Sequence, residues 1–186
     1  MINMKLIKLF GIAVLFLGLD ALGQSPQSTM KTKSSDTWKT FAFNNYSIQY
    51  PDSFDLNKSG LMGTCFVLLS KQTSQGDLFR ENVNLIIQDL TGKNIGLDKY
   101  VAITEGQIKS RMSNGIIIES KRINAGDSEF HKIIYSCTQG QFNLKFEQYY
   151  WIIKEKAYVL TLTCELNQFD KYKEVGEKIV NSFRVK

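Results

Sequence analysis

The chain has few of the residues from which common active sites are built. It has one histidine, His131, and three cysteines, Cys65, Cys137 and Cys164, among 186 residues. A histidine metal site needs carboxylates or cysteines around the imidazole, and a Cys–His nucleophilic pair needs hydrogen-bond reach. An odd number of widely spaced cysteines indicates neither a disulfide framework nor a metal knuckle. At most one disulfide can form, and small apolar core residues are the favoured interpretation.

Motifs of common enzymes are absent as well. The sequence has no Gly-x-Ser-x-Gly, no phosphate-binding glycine loop and no His-Glu-x-x-His. The spacing of Asp77, Glu81 and Asp89 matches no calcium loop. The 23 basic residues exceed the 18 acidic ones, but they are scattered rather than massed as in a nucleic-acid-binding surface. We therefore expect no enzyme activity, no cofactor, no metal site and no nucleic-acid partner.

Only the N-terminus has a long apolar run. Lys5 and Lys8 precede the run of residues 9–19, and Ala21-Leu22-Gly23 provides the small residues that a signal peptidase recognises. The run is shorter than the ~20 residues of a membrane-spanning helix. We predict a signal peptide over residues 1–23, export to the periplasm or the exterior, and no stable membrane span after cleavage. An uncleaved anchor is the alternative. A composition rich in lysine, asparagine and isoleucine favours a bacterial source.

The remaining sequence predicts one domain over residues 38–186, after a flexible polar lead-in over residues 24–37. Residues 38–43 and 46–50 form a hairpin around Asn44-Asn45, and Pro51 ends its second strand. Apolar runs over 64–70, 83–90 and 116–123 predict further strands. Apolar residues at helical spacing predict amphipathic helices over 97–112 and 168–183.

Residues 130–165 predict three consecutive antiparallel strands. With Thr138 opposite Gln141 and Ile153 opposite Ala157, most apolar side chains share one face, including the alternate residues from Tyr158 to Cys164. The side chains expected to gather at one end of the opposite face are Phe130, Tyr149, Trp151 and Val159. In this register the neighbours of His131 across the sheet are Gln148 and then Leu162, and neither is an acid. We therefore interpret His131 as a polar residue at the rim of the core rather than as a metal ligand or catalytic base.

Several segments resemble the PsbP-like superfamily over roughly residues 40–186. The segments are Tyr46-Ser-Ile-Gln-Tyr-Pro51 with Asp52-Ser-Phe54, then Phe79-Arg-Glu-Asn-Val-Asn84, the helix start at 97–101, and Ser182-Phe183-Arg184-Val185. The resemblance implies an α+β fold in which helices flank a central antiparallel sheet on both faces, an αβα sandwich. The superfamily includes an extrinsic photosystem II subunit, a Ran-binding nuclear-import factor and many exported bacterial proteins of unknown role, generally not enzymes. No oxygen-evolution role and no manganese or calcium site is carried over.

Two features are candidate partner-binding surfaces. The first is the aromatic cluster of Phe130, Tyr149 and Trp151. Burial beneath one of the two helices is its favoured interpretation, and exposure would make it an anchor for a partner. The second is the loop of residues 71–82 with Phe79 and Arg80, for which an ordinary connection is favoured. We expect a non-catalytic envelope protein that binds an unidentified envelope protein or assists an assembly. The alternatives are a carrier of a small apolar ligand or lipid between sheet and helix and, least favoured, a hydrolase.

Overall fold

The structure is a computed structural model that describes residues 37–126 and 128–186. The predicted signal peptide over residues 1–23 lies outside the described residues, and so does the predicted lead-in over residues 24–37 except for its last residue. Across the two described ranges, no helix is long and apolar enough to cross a membrane.

Two antiparallel sheets and two α-helices make up the described part of the chain. In chain order the elements are β1 (Trp38–Phe43), β2 (Tyr46–Pro51), β3 (Phe54–Asn57), β4 (Phe66–Ser70), β5 (Asn82–Asp89), α1 (Leu97–Arg111), β6 (Ile116–Ala125), β7 (Ser128–Gln139), β8 (Phe142–Ile153), β9 (Lys156–Glu165), α2 (Phe169–Asn181) and β10 (Arg184–Val185). The seven-stranded sheet has the order β3-β4-β5-β9-β8-β7-β6, and the three-stranded sheet has the order β1-β2-β10. The predicted α+β class with a mainly antiparallel sheet is confirmed.

The small sheet joins the two ends of the domain. Phe43 faces Tyr46 across the predicted hairpin, and Asn44 has the positive φ of 47° that such a tight turn requires. The chain returns at its C-terminal end, where Arg184 faces Ser47 on β2. Neither β3 nor β10 was predicted, because four and two residues are too few to show an alternating pattern.

The register of the β8–β9 hairpin corrects the prediction. Lys154 and Glu155 both have positive φ, 49° and 56°, and form a two-residue turn, so Ile153 faces Lys156 rather than Ala157. This shift of one residue moves the side chains of β9 to the opposite face from the one predicted. Leu160 now faces Tyr149.

The β7–β8 hairpin differs from the prediction by two residues. Gln139 faces Phe142, and the pair that was predicted, Thr138 with Gln141, does not form. The faces of β7 and β8 are unaffected, because a shift of two residues restores the alternation.

Each helix belongs to a different core cluster. The buried α1 residues Tyr100 and Ile108 pack in a cluster with Tyr135, Phe146 and Val159. The cluster of α2 contains, among others, the buried residues Phe169, Ile179, Leu160, Leu162 and Phe66. The helix α2 packs closely against the sheet at Gly176, because a Cβ atom at this position would lie 2.5 Å from Cδ2 of Leu162.

Candidate partner-binding groove

The structure places the three aromatic residues of the predicted cluster together. The ring centroids of Phe130 and Trp151 are 5.3 Å apart, those of Phe130 and Tyr149 are 5.9 Å apart, and those of Tyr149 and Trp151 are 6.1 Å apart. Val159, predicted as a fourth member, faces Tyr150 instead and belongs to the α1 cluster. The cause is the two-residue turn, which reverses the faces of β9.

The aromatic cluster is partly covered by the C-terminal end of α2. Tyr149 is buried, whereas Phe130 and Trp151 are half-buried. The centroid of Phe183, two residues beyond α2, lies 5.4 Å from that of Trp151. Between the strand ends, α2 and β10 runs a groove of about 510 Å³ that is open to solvent. Its lining residues, called the aromatic groove below, are Ser128, Phe130, Tyr149, Trp151, Ile153, Val180, Asn181, Phe183, Arg184 and Val185.

A buried carboxylate lies beside the groove. Glu147 is fully buried and accepts a hydrogen bond of 2.7 Å from the Tyr149 hydroxyl through Oε1. The Lys132 Nζ lies 3.6 Å from the same oxygen and 3.2 Å from Oε1 of Glu119. Burial, and then the neighbouring Glu147, raises the pKa of Tyr149 well above its ordinary value. The tyrosine hydroxyl therefore stays protonated and donates to Glu147.

Of the loop residues Phe79 and Arg80, Phe79 is buried and Arg80 is half-buried. Phe79 is 2% exposed and packs in the α1 cluster, with its ring centroid 5.4 Å from that of Phe142. The Arg80 guanidinium donates to the Ser70 carbonyl and pairs with Asp55 Oδ2 at 2.6 Å. These contacts tie the loop to β3 and β4. Phe79 is therefore a core residue, which agrees with the favoured interpretation of the loop as an ordinary connection.

His131 has an acidic neighbour that the predicted register did not give it. Its Nε2 lies 2.8 Å from the Ser120 Oγ, and that hydroxyl donates to Glu105 Oε1 at 2.5 Å. Because a hydroxyl has one proton, a serine that donates to Glu105 accepts from the imidazole. Burial lowers the pKa of His131, while Glu105 acts in the opposite direction. A nucleophilic serine would have to donate to the histidine, so this arrangement has the wrong direction for that chemistry.

The remaining candidate groups lie apart from one another. Within residues 37–126 and 128–186, no group of three or more His, Cys, Asp or Glu residues has a geometry that could hold a metal ion. Glu81 is buried and accepts a hydrogen bond of 3.2 Å from the Ser70 hydroxyl, and burial raises its pKa. Cys65, Cys137 and Cys164 are free thiols.

Sequence reasoning missed the part of the groove that α2 and β10 contribute. The helical spacing predicted an inward Phe183, but no pattern indicated that Val180, Phe183 and Arg184 would meet the end of β8. A two-residue turn at Lys154-Glu155 would have supplied the correct register. Its sequence lacks the asparagine and glycine that usually indicate such a turn.

Comparison with solved structures shows the fold. The chain matches cyanobacterial PsbP (CyanoP) from Synechocystis sp. PCC 6803 with a TM-score of 0.58 and 13% identity, covering 86% of this chain and 98% of that one. LpqN of Mycobacterium tuberculosis, a protein involved in cell envelope biogenesis, matches with a TM-score of 0.59 and 12% identity, covering 83% and 87%. PA94 of Pseudomonas aeruginosa, a protein of unknown function, matches with a TM-score of 0.57 and 10% identity, covering 80% and 97%. No family model and no curated protein matches the chain in sequence.

Proposed function

From the PsbP-like fold that the chain shares with these proteins, we propose that it is an exported, non-catalytic module of the cell envelope that binds another protein through the aromatic groove. The observation that carries the proposal is the groove itself, in which Phe130 and Trp151 remain half-exposed between the strand ends and the end of α2. Aromatic residues in a partly desolvated depression are the usual anchors of protein interfaces.

Export is supported by the predicted signal peptide and by the fold of LpqN, which is involved in cell envelope biogenesis. A role without catalysis is supported by the direction of the Glu105–Ser120–His131 hydrogen bonds, in which the imidazole donates to Ser120 and does not act as the base of a serine nucleophile. For the architecture, we infer that α1 and α2 flank opposite faces of the seven-stranded sheet, since each belongs to a different core cluster.

The proposal is tested by affinity capture from envelope extract. The bait is the exported protein, beside a Trp151→Ala variant and a Trp38→Ala control. Trp38, the other of the two tryptophans in the chain, lies on β1 and is 36% exposed. Each variant is first checked for folding by circular dichroism. We expect a partner that wild type and Trp38→Ala retain and Trp151→Ala loses. A partner retained equally by all three proteins would place the binding surface elsewhere.

A carrier of a small apolar ligand is the second candidate. The groove volume of about 510 Å³ falls in the range of small-molecule sites. Native mass spectrometry of the protein purified from its own envelope distinguishes the two functions. A bound apolar molecule that is lost in Trp151→Ala would favour the carrier over the protein-binding module.

A further inference from the structure

Arg184 places a positive charge at the rim of the aromatic groove. Its Nη1 donates to the carbonyl oxygens of Asn181 at 2.7 Å and Phe183 at 2.8 Å, which hold the guanidinium at the C-terminal end of α2. The side chain is exposed, and no carboxylate of the described ranges lies within ion-pair distance of it. A guanidinium has five N–H donors in a planar fork, so donors remain for a carboxylate that enters the groove.

The main chain of β10 borders the same groove. Arg184 faces Ser47 on β2, and the Lys186 N–H donates to the Asn45 carbonyl at 2.6 Å. In an antiparallel ladder the groups bonded to one neighbour alternate along the strand. The N–H and C=O of Val185 therefore point away from β2, and no described strand pairs with β10 on that side. An extended segment of another chain can add to such a free strand edge.

The charges beside the groove are unevenly distributed. Glu147 contacts the Tyr149 hydroxyl, and Glu177 and Glu119 also contribute to raising the pKa of that tyrosine. Lys132 pairs with Glu119 and Glu147 and offsets part of this negative charge. Arg184, by contrast, pairs with no carboxylate of the described ranges, so we expect an acidic group of a bound partner beside Arg184.

We propose that the aromatic groove binds an extended segment of a partner protein in which a carboxylate side chain lies next to an apolar or aromatic one. The inference rests on the proposed function and specifies its partner. The apolar side chain packs among Phe130, Trp151 and Phe183, the carboxylate pairs with Arg184, and the main chain runs beside Val185. The free strand edge favours an extended peptide over a lipid, because a peptide main chain can form hydrogen bonds with Val185.

A random peptide library displayed on phage tests the inference. The library is selected on the purified protein, expressed from the full chain, and each enriched peptide is tested for binding to Trp151→Ala. A fluorescent synthetic peptide of the enriched consensus, and its analogue with Asp or Glu replaced by Asn or Gln, are then titrated by anisotropy. The proteins titrated are wild type, Arg184→Gln, Arg184→Lys and the control Lys109→Gln, which removes an exposed charge of α1. Thermal melts establish that each variant is folded.

We expect acidic residues beside apolar ones in the enriched peptides. Arg184→Gln should weaken binding of the acidic peptide by about two- to fivefold, the range for an exposed ion pair. The same substitution should leave the affinity for the amide analogue unchanged. Arg184→Lys should retain part of the wild-type affinity for the acidic peptide, and Lys109→Gln should retain all of it. Peptides that need Trp151 but have no acid, or bind Arg184→Gln equally well, would overturn the inference and leave the proposed function standing. Failure to enrich any Trp151-dependent peptide would contradict both.

Discussion

Phe79→Ala should destabilise the domain strongly, although Phe79 lies in a loop between strands. The side chain is 2% exposed and packs in the α1 cluster against Phe142. Truncation of a buried phenylalanine removes its transfer free energy and leaves a cavity, which together cost about 3–5 kcal/mol. The adjacent Leu78 is 53% exposed, so Leu78→Ala should change the free energy of unfolding by less than about 0.5 kcal/mol.

Urea unfolding followed by circular dichroism measures both variants. We expect a lower midpoint for Phe79→Ala at an unchanged slope, because a cavity changes stability without changing the surface exposed on unfolding. Phe79→Leu should recover most of the loss, since it refills much of the cavity. Equal, small effects of Phe79→Ala and Leu78→Ala would refute the assignment of Phe79 to the core. The loop would then become a candidate binding surface again.

Three further predictions test the interior. Thr163→Val should leave the free energy of unfolding unchanged or raise it by about 1 kcal/mol, because the buried Thr163 hydroxyl has no hydrogen-bond partner among the described residues. Thr161→Val should lower it by about 1 kcal/mol, because it removes the buried hydroxyl that accepts a hydrogen bond from the Gln148 amide. Equal losses in urea melts would argue against this difference. Gly176→Ala should lower the free energy of unfolding by about 1–3 kcal/mol, because the new methyl group would overlap the Leu162 side chain of β9. A gain in melting temperature would contradict the close approach of α2 to the sheet. Burial raises the pKa of the Cys65 and Cys164 thiols, so both should react slowly with an alkylating reagent at neutral pH. In mass spectrometry, half-buried Cys65 should be modified slowly and buried Cys164 only in denaturant. Fast labelling of Cys164 in the folded protein would disprove its burial.

The elements with strong periodicity could be predicted from the sequence. Both helices, the N-terminal hairpin and the three long strands β7, β8 and β9 lie within a few residues of their predicted bounds. Their apolar residues repeat with the period of the structure over six or more positions, which leaves few alternatives.

The face of β9 could not be predicted, because it depends on one residue of turn length. The predicted register, with Ile153 opposite Ala157, brought the alternate apolar residues of β9 to the face of Tyr150, whereas the observed register pairs Ile153 with Lys156. The alternation in β9 cannot decide between them, because both faces of this strand are buried. Lys154 and Glu155 adopt positive φ, a conformation that their residue types seldom indicate.

The position of Phe79 and the groove depend on contacts between distant segments. A lone aromatic residue in a polar loop has no periodicity that shows whether it faces inward, and its partner Phe142 lies far along the chain. The end of α2 meets the aromatic cluster only because β10 returns to β2. The three aromatic residues themselves were predicted to lie together, since Phe130 and the alternate residues Tyr149 and Trp151 share a face in either register.

Photo-crosslinking in the native cells tests the groove most directly. A benzoylphenylalanine is introduced at Ile153, which lines the groove, and as a control at Ile116, which is 60% exposed on the edge strand β6. A binding module that uses the aromatic groove should crosslink to one discrete envelope protein from position 153 and not from position 116. No crosslinked protein from position 153, or the same products from both positions, would contradict the proposed function.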